Sequence, residues 1–225
     1  MKIATCLQHV AFEGPGVFRQ ALEIRGYSVR STLVPSEELP QDPGDFLLIM
    51  GGPMSVNDPE PWIAEERQFL QEAIAKDIPI LGICFGSQLL ATAVGGSVAP
   101  GLCVEIGMVP VTLTDEGQAD PVFNQGPSTF QVFQWHGEGI SLPPEIPSLV
   151  ASANFPVQAF RVRERCYGLL FHLEMEEAGI QALCRECPED VLKSGVPPET
   201  IHAQAIRHLP LSHQLADRLI GHLVQ

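Results

Sequence analysis

Gly82-Ile83-Cys84-Phe85-Gly86-Ser87-Gln88 sets a cysteine between two glycines, after an apolar run and ahead of a helix-forming one. That is the spacing of a G-x-nucleophile-x-G elbow, whose glycines permit a tight, strained turn. Such a turn would lift Cys84 to the carboxyl end of a sheet, where ligand sites of α/β proteins lie. It would also set the sulfur at a helix N-terminus, which favours negative charge. A buried structural cysteine between strand and helix has the same local sequence, so the supply of partners decides. Phe171-His172-Leu173-Glu174 closes an apolar segment. On a strand, His172 and Glu174 would share one face. A carboxylate beside an imidazole fixes its tautomer and raises its basicity. His172 could then take the Cys84 proton and later hand it to a leaving amine, which is nucleophilic catalysis on an amide.

An electrophilic site is also present. Met50-Gly51-Gly52-Pro53 follows a buried apolar run, so its loop belongs at the same sheet edge. The backbone N–H groups of Gly52 and Phe85 could hold a developing oxyanion. Gly-Gly-Pro alone would be only a turn; beside the elbow it reads as part of the site. It is not a phosphate loop, because G-x-x-x-x-G-K-[ST] is absent. Six cysteines occur, and Cys184 and Cys187 make one C-x-x-C. No second pair accompanies them, and His202 and His208 lack ligand spacing, so two helix-surface thiols are expected, and no metal or other cofactor.

The elements that must position these residues alternate through the first half. Lys2–Leu7, Tyr27–Leu33, Phe46–Met50 and Ile78–Ile83 read as strands; Gly16–Arg25, Pro61–Lys76 and Phe85–Val94 read as helices. Strand–helix alternation predicts an α/β, doubly wound, mostly parallel sheet with helices on both faces. The second half changes character. Val104–Thr114, Thr129–Trp135, Ser148–Ala153, Pro156–Val162 and Cys166–His172 are short strand-like segments between Pro- and Gly-containing turns, predicting a small mixed or antiparallel region beside the parallel core. Residues 176–225 read as a helical tail broken at Pro188, Pro197-Pro198 and Pro210, packed on a single domain spanning 1–225.

Composition bounds the function. With 45% hydrophobic and 18% charged residues the chain is globular rather than disordered. A formal net charge of −14 repels phosphate backbones and anionic lipid, arguing against nucleic-acid and membrane-surface partners. No run is long enough to span a bilayer. Met1-Lys2-Ile3-Ala4-Thr5-Cys6 leads into a strand without a signal-peptide core, so a cytoplasmic setting is expected.

The elbow, the Gly51-Gly52-Pro53 loop and His172-Leu173-Glu174 together resemble class I (triad-type) glutamine amidotransferases, in the same order over about residues 40–175. Met54-Ser55-Val56-Asn57-Asp58 and Phe133-Gln134-Trp135-His136-Gly137-Glu138 further resemble the stand-alone, GMP-synthase-like members. The resemblance implies a flavodoxin-like fold with Cys84, His172 and Glu174 as the triad. It implies that Cys84 attacks the glutamine carboxamide, releases ammonia and passes the γ-glutamyl group to water. Gln88 would bind substrate, and Trp135 and His136 would line the pocket. The usual His-Pro-Glu is His-Leu-Glu here, which keeps the spacing and loses some rigidity. Two further readings remain open: a γ-glutamyl peptidase with the same triad, and a non-catalytic module on the same fold. With no ATP-binding motif visible, a synthase that accepts the ammonia is expected to be a separate protein, and the isolated chain is expected to use free glutamine slowly.

Overall fold

The computed structural model describes residues 2–225; Met1, where the reading of the N-terminus began, lies outside them. The first half runs β1 (Lys2–Gln8), α1 (Gly16–Ile24), β2 (Tyr27–Leu33), β3 (Phe46–Ile49), α2 (Pro61–Ala75), β4 (Ile80–Ile83) and α3 (Phe85–Ala93). The second half runs β5 (Ser97–Leu113), α4 (Asp115–Ala119), β6 (Thr129–Ser141), β7 (Ser148–Ser152), β8 (Ala159–Arg163), β9 (Cys166–Leu169), α5 (Glu177–Glu186), α6 (Pro188–Ser194) and α7 (Pro198–Leu223). The strands form one sheet in the order β2-β1-β3-β4-β9-β8-β7-β5-β6. β1 to β4 and β9 pair in parallel, and β5 to β8 add antiparallel neighbours.

Why the parallel half forms is visible residue by residue. Successive strand side chains point to opposite faces. Ala4, Cys6, Phe46, Leu48, Leu81 and Ile83 pack with Phe18 and Leu22 of α1 and Leu219 and Leu223 of α7. Their sequence neighbours Leu7, Leu47, Ile49 and Ile80 pack on the other face with Ile63 and Leu70 of α2 and Phe85 and Leu89 of α3. Both faces are dry, which is why these strands are continuously apolar. Pro61 opens α2 at a position whose N–H needs no partner.

Four expectations need correction. β5 starts at Ser97, not Val104; Pro100 and Gly101 look like a turn, but the ladder with β6 passes them through an irregularity between Pro100 and Glu105. β6 continues beyond Trp135 through His136-Gly137-Glu138 to Ser141, because β5 pairs with it along that length. β8 begins at Ala159 rather than Pro156. β9 ends at Leu169, so His172 and Glu174 are not on a strand; His172 forms an isolated bridge, its N–H donating to the Phe133 carbonyl at 2.9 Å.

The tail also differs from expectation at one point. α7 runs through Pro210, a predicted break. An interior proline costs about 3 kcal/mol. Ile201, Ala216, Leu219, Ile220 and Leu223 are buried on either side of it. Each large aliphatic group buried contributes roughly 1.5–3 kcal/mol, so packing outweighs the lost helical bond. A separate cluster of Phe133, Met175, Ile180, Leu183, Val191 and Ile201 fastens α5, α6 and α7 to β6. It brings α6 over the carboxyl edge of the sheet.

Candidate active site

Cys84 sits between β4 and α3 with φ 48° and ψ −108°. A non-glycine residue with that φ is strained by about 1–3 kcal/mol. Gly82 and Gly86 leave the room the turn needs. A Cβ on Gly82 would stand 2.5 Å from the Gly86 carbonyl oxygen, and one on Gly86 would overlap the Ile49 carbonyl oxygen. The turn is tied down on both sides: the Gly86 N–H donates to the Met50 carbonyl at 3.2 Å, and the Cys84 N–H to the Leu169 carbonyl at 2.8 Å. The first of these bonds joins the elbow to the Gly51-Gly52 loop. The thiol itself points at the Trp135 carbonyl oxygen, 3.7 Å away.

His172 Nδ1 and Glu174 Oε1 are 2.6 Å apart, and both side chains are buried. The bend after β9 makes this contact, not a shared strand face. His172 Nε2 is buried and has no hydrogen-bond partner among the described residues. Gly51 lies against both His172 and Cys84: a Cβ there would lie 3.3 Å from His172 Cε1 and 3.5 Å from Cys84 Cβ. Burial pushes the imidazole toward its neutral form, but the Glu174 carboxylate and the nearby Cys84 thiol more than offset this. The His172 pKa is therefore held well above the ordinary histidine value. A base with one nitrogen oriented by a carboxylate and the other free beside a thiol can move a proton to and from that thiol. The N–H groups of Gly52 and Phe85 carry no hydrogen bond among the described residues.

Cys84 and Gly52 open into a cavity of about 380 Å³. Its lining includes Cys84, Gly52, Gln88, Trp135 and His136, so the structure brings all of these to one place. Gln88 is buried, with its N–H donating to the Cys84 carbonyl one turn back. The His136 ring is fixed from behind. Nδ1 lies 3.1 Å from the Glu138 carbonyl oxygen and Nε2 lies 3.5 Å from Glu105 Oε2. Glu105 in turn accepts from Ser152, Asn154 and Gln158. The opposite wall escaped the sequence reading. Asp190 of α6 accepts from Trp135 Nε1 at 3.3 Å and pairs with Lys193 at 2.9 Å, and Cys187 lies beside them. No local signal points to this, since α6 reaches the cavity only through the packing of the tail. Among the described residues no group of three or more His, Cys, Asp or Glu could hold a metal ion, and no helix is long and apolar enough to cross a membrane.

Glu13 was missed as well. It lines the cavity, is 8% exposed, and would overlap a Cβ on Gly51. Burial pushes its pKa up from 4.5, Glu174 adds to this, and His172 and His9 oppose it. A carboxyl group whose pKa is raised on folding favours the folded state at low pH. That contribution is lost as pH rises from the ordinary value through the raised one. Glu13→Gln is therefore expected to raise Tm near neutral pH by about 2–4 °C, for roughly 1 kcal/mol, and to leave it unchanged near pH 4. Thermal melts at the two pH values check this; an equal shift at both would contradict it.

The model of the family described as glutamine amidotransferase class-I matches residues 17–196. The chain belongs to this family. It is 29% identical over 191 residues to the glutamine amidotransferase-like protein YfeJ of Salmonella typhimurium, covering 81% of this chain and 80% of that protein. It is 26% identical over 201 residues to gamma-glutamyl-L-1-hydroxyisopropylamide hydrolase of a Pseudomonas species, covering 84% and 68%. The crystal structure of a glutamine amidotransferase from Thermotoga maritima superposes with a TM-score of 0.89 at 27% identity, over 99% of this chain and 98% of that one. Against GMP synthase of Syntrophomonas wolfei the identity is 34% over 70% of this chain, which spans about a third (31%) of that protein's length.

Proposed function

We propose that this chain hydrolyses the side-chain amide of glutamine or a related γ-glutamyl compound through a thioester on Cys84. The observation that carries this is the Cys84 elbow facing a buried His172–Glu174 pair at the end of an open cavity. His172 Nε2 takes the thiol proton as the sulfur attacks the amide carbon. The N–H groups of Gly52 and Phe85 receive the oxyanion. His172 then gives the proton to the departing nitrogen, and the C–N bond breaks to release ammonia or an amine. Water attacks the thioester, its proton returns through His172, and glutamate leaves with the thiol restored. Glu174 holds the tautomer and stabilises the imidazolium throughout. Gln88, Trp135 and His136 contact the γ-glutamyl portion. Where ammonia is the product, a partner synthase would carry its acceptor.

Cavity size favours a second substrate choice for the same chemistry. About 380 Å³ falls within the roughly 300–1,000 Å³ of sites for drug-sized ligands, which is more than glutamine alone needs. The hydrolase relative acts on a γ-glutamyl amide by its name. Purified protein should be assayed for ammonia from glutamine and, in parallel, for glutamate from γ-glutamyl amides and dipeptides. Activity on either supports the proposal. Faster unassisted cleavage of the larger amides selects the amide-hydrolase form. No turnover and no γ-glutamyl adduct with any of them would remove it.

A further inference from the structure

His9 follows β1 and takes no direct part in the proposed chemistry. Its ring is buried between Trp62 and Phe85, at centroid distances of 5.6 and 4.4 Å. Nδ1 lies 3.1 Å from the Gly51 carbonyl oxygen. Nε2 lies 3.2 and 3.1 Å from the two carboxylate oxygens of Glu66 on α2. Both side chains of this pair are wholly shielded from solvent. A buried polar pair of this kind is seldom more stabilising than apolar residues of the same shape, so stability alone gives little reason for it.

Its geometry gives a better one. A carbonyl oxygen only accepts, so Nδ1 carries a hydrogen and donates it to Gly51. The carboxylate holds the other side of the ring, which cannot then turn. The Gly51–Gly52 amide is planar, and no peptide bond among the described residues is cis. Its C=O and N–H therefore point in opposite directions. With the carbonyl held toward His9, the Gly52 N–H is turned to the other side, and Gly52 lines the cavity with Cys84. This amide joins two glycines, the residue type with the greatest backbone freedom. Freed from His9 it could rotate and present its carbonyl oxygen to the cavity, where an oxyanion would be repelled.

We propose that His9, braced by Glu66, is a positioning residue that fixes the Gly51–Gly52 amide with its N–H toward the reacting carbonyl oxygen. The inference rests on the proposed acyl transfer at Cys84. It also makes the oxyanion donor a property of the chain itself, set before any partner binds.

Two substitutions separate the contacts. An asparagine amide nitrogen occupies the place of a histidine Nδ1, and a glutamine amide nitrogen that of Nε2. His9→Asn thus keeps the bond to Gly51, and His9→Gln keeps the one to Glu66. Full-length wild type and both variants should be compared for kcat and KM on the substrate that wild type uses best. Alkylation of Cys84 by iodoacetamide, a displacement that forms no oxyanion, should be timed in parallel. His9→Gln is expected to lose about 10²–10³-fold in kcat, the usual effect of one oxyanion donor, with KM and alkylation little changed. His9→Asn should stay within about tenfold of wild type. Glu66→Met fills the same space with no group to hold Nε2, so it leaves Nδ1 in place and loosens the ring; a smaller loss in kcat, again without loss of alkylation, is expected and gives a reading even if His9→Gln does not fold. Equal losses for His9→Asn and His9→Gln, wild-type kcat in both His9→Gln and Glu66→Met, or alkylation falling in step with turnover would overturn the proposal. A wild type that forms no γ-glutamyl adduct would instead remove the acyl-transfer reading on which it rests.

Discussion

Cys84→Ala is expected to lower turnover by at least about 10⁴-fold and to abolish any γ-glutamyl adduct. The size of the effect depends on whether another thiol can stand in, and the environments of the others answer that. Cys6 and Cys166 are buried, and burial pushes both thiols up to about 12. Cys103 is exposed and Cys184 half-buried; neither is among the residues lining the cavity, and burial pushes the Cys184 thiol up. Cys187 does line the cavity, but partial burial, with Asp190 and Glu13 adding to it, pushes its pKa up to about 11. At neutral pH only about one Cys187 in 10⁴ would be ionised, and the thiolate is the nucleophile. It also sits on no strained turn and faces no free imidazole nitrogen. Cys187→Ala should therefore keep turnover within a few-fold, which makes it the sharpest control. Mass spectrometry of enzyme quenched during turnover locates the adduct. A γ-glutamyl group on Cys187, or undiminished turnover in Cys84→Ala, would overturn the assignment of the nucleophile.

The features legible in the sequence are those set by local sterics and by period. β3 and β4 are unbroken apolar runs because both faces of the sheet are covered, and that pattern survives in one dimension. The elbow is legible because Gly82 and Gly86 are each required by a backbone atom within van der Waals distance. The spacing of His172 and Glu174 suggested their pairing, although the structure reaches it through a bend instead of a strand. The rest depends on contacts far apart in the chain. His9 and Glu66 are 57 residues apart, and Trp135 and Asp190 are 55 apart. Neither pair leaves a periodicity or motif. β5 runs past Pro100 and Gly101, which locally look like a turn, because the ladder between β5 and β6 is held by its whole length.

Glu174→Gln is expected to keep the fold and to lower kcat by about 10²–10⁴-fold, with KM little changed. Glu174 is isosteric with glutamine, so the pocket behind His172 stays filled. Its Oε2 already has no hydrogen-bond partner among the described residues, so an amide nitrogen placed there disturbs no existing bond. Leaving that nitrogen unpaired costs on the order of 1–3 kcal/mol, tolerable for a domain. Catalysis suffers in two ways. The imidazolium formed when His172 takes the thiol proton loses its counter-charge in a dry site, where charge is expensive to leave unpaired. If the amide turns its nitrogen toward Nδ1, the ring is held with its hydrogen on Nε2 and cannot accept from sulfur at all. In a Ser-His-Asp triad the equivalent change costs about 10⁴ in kcat for that reason. The pH profile distinguishes this from a merely structural effect. Glu174 is the first of the groups that hold the His172 pKa up against burial, so the limb of the profile that reports His172 should move to lower pH in the variant. A limb that stays in place, or a variant running at the wild-type rate, would take Glu174 out of the proposed triad and leave His172 to act with Cys84 alone.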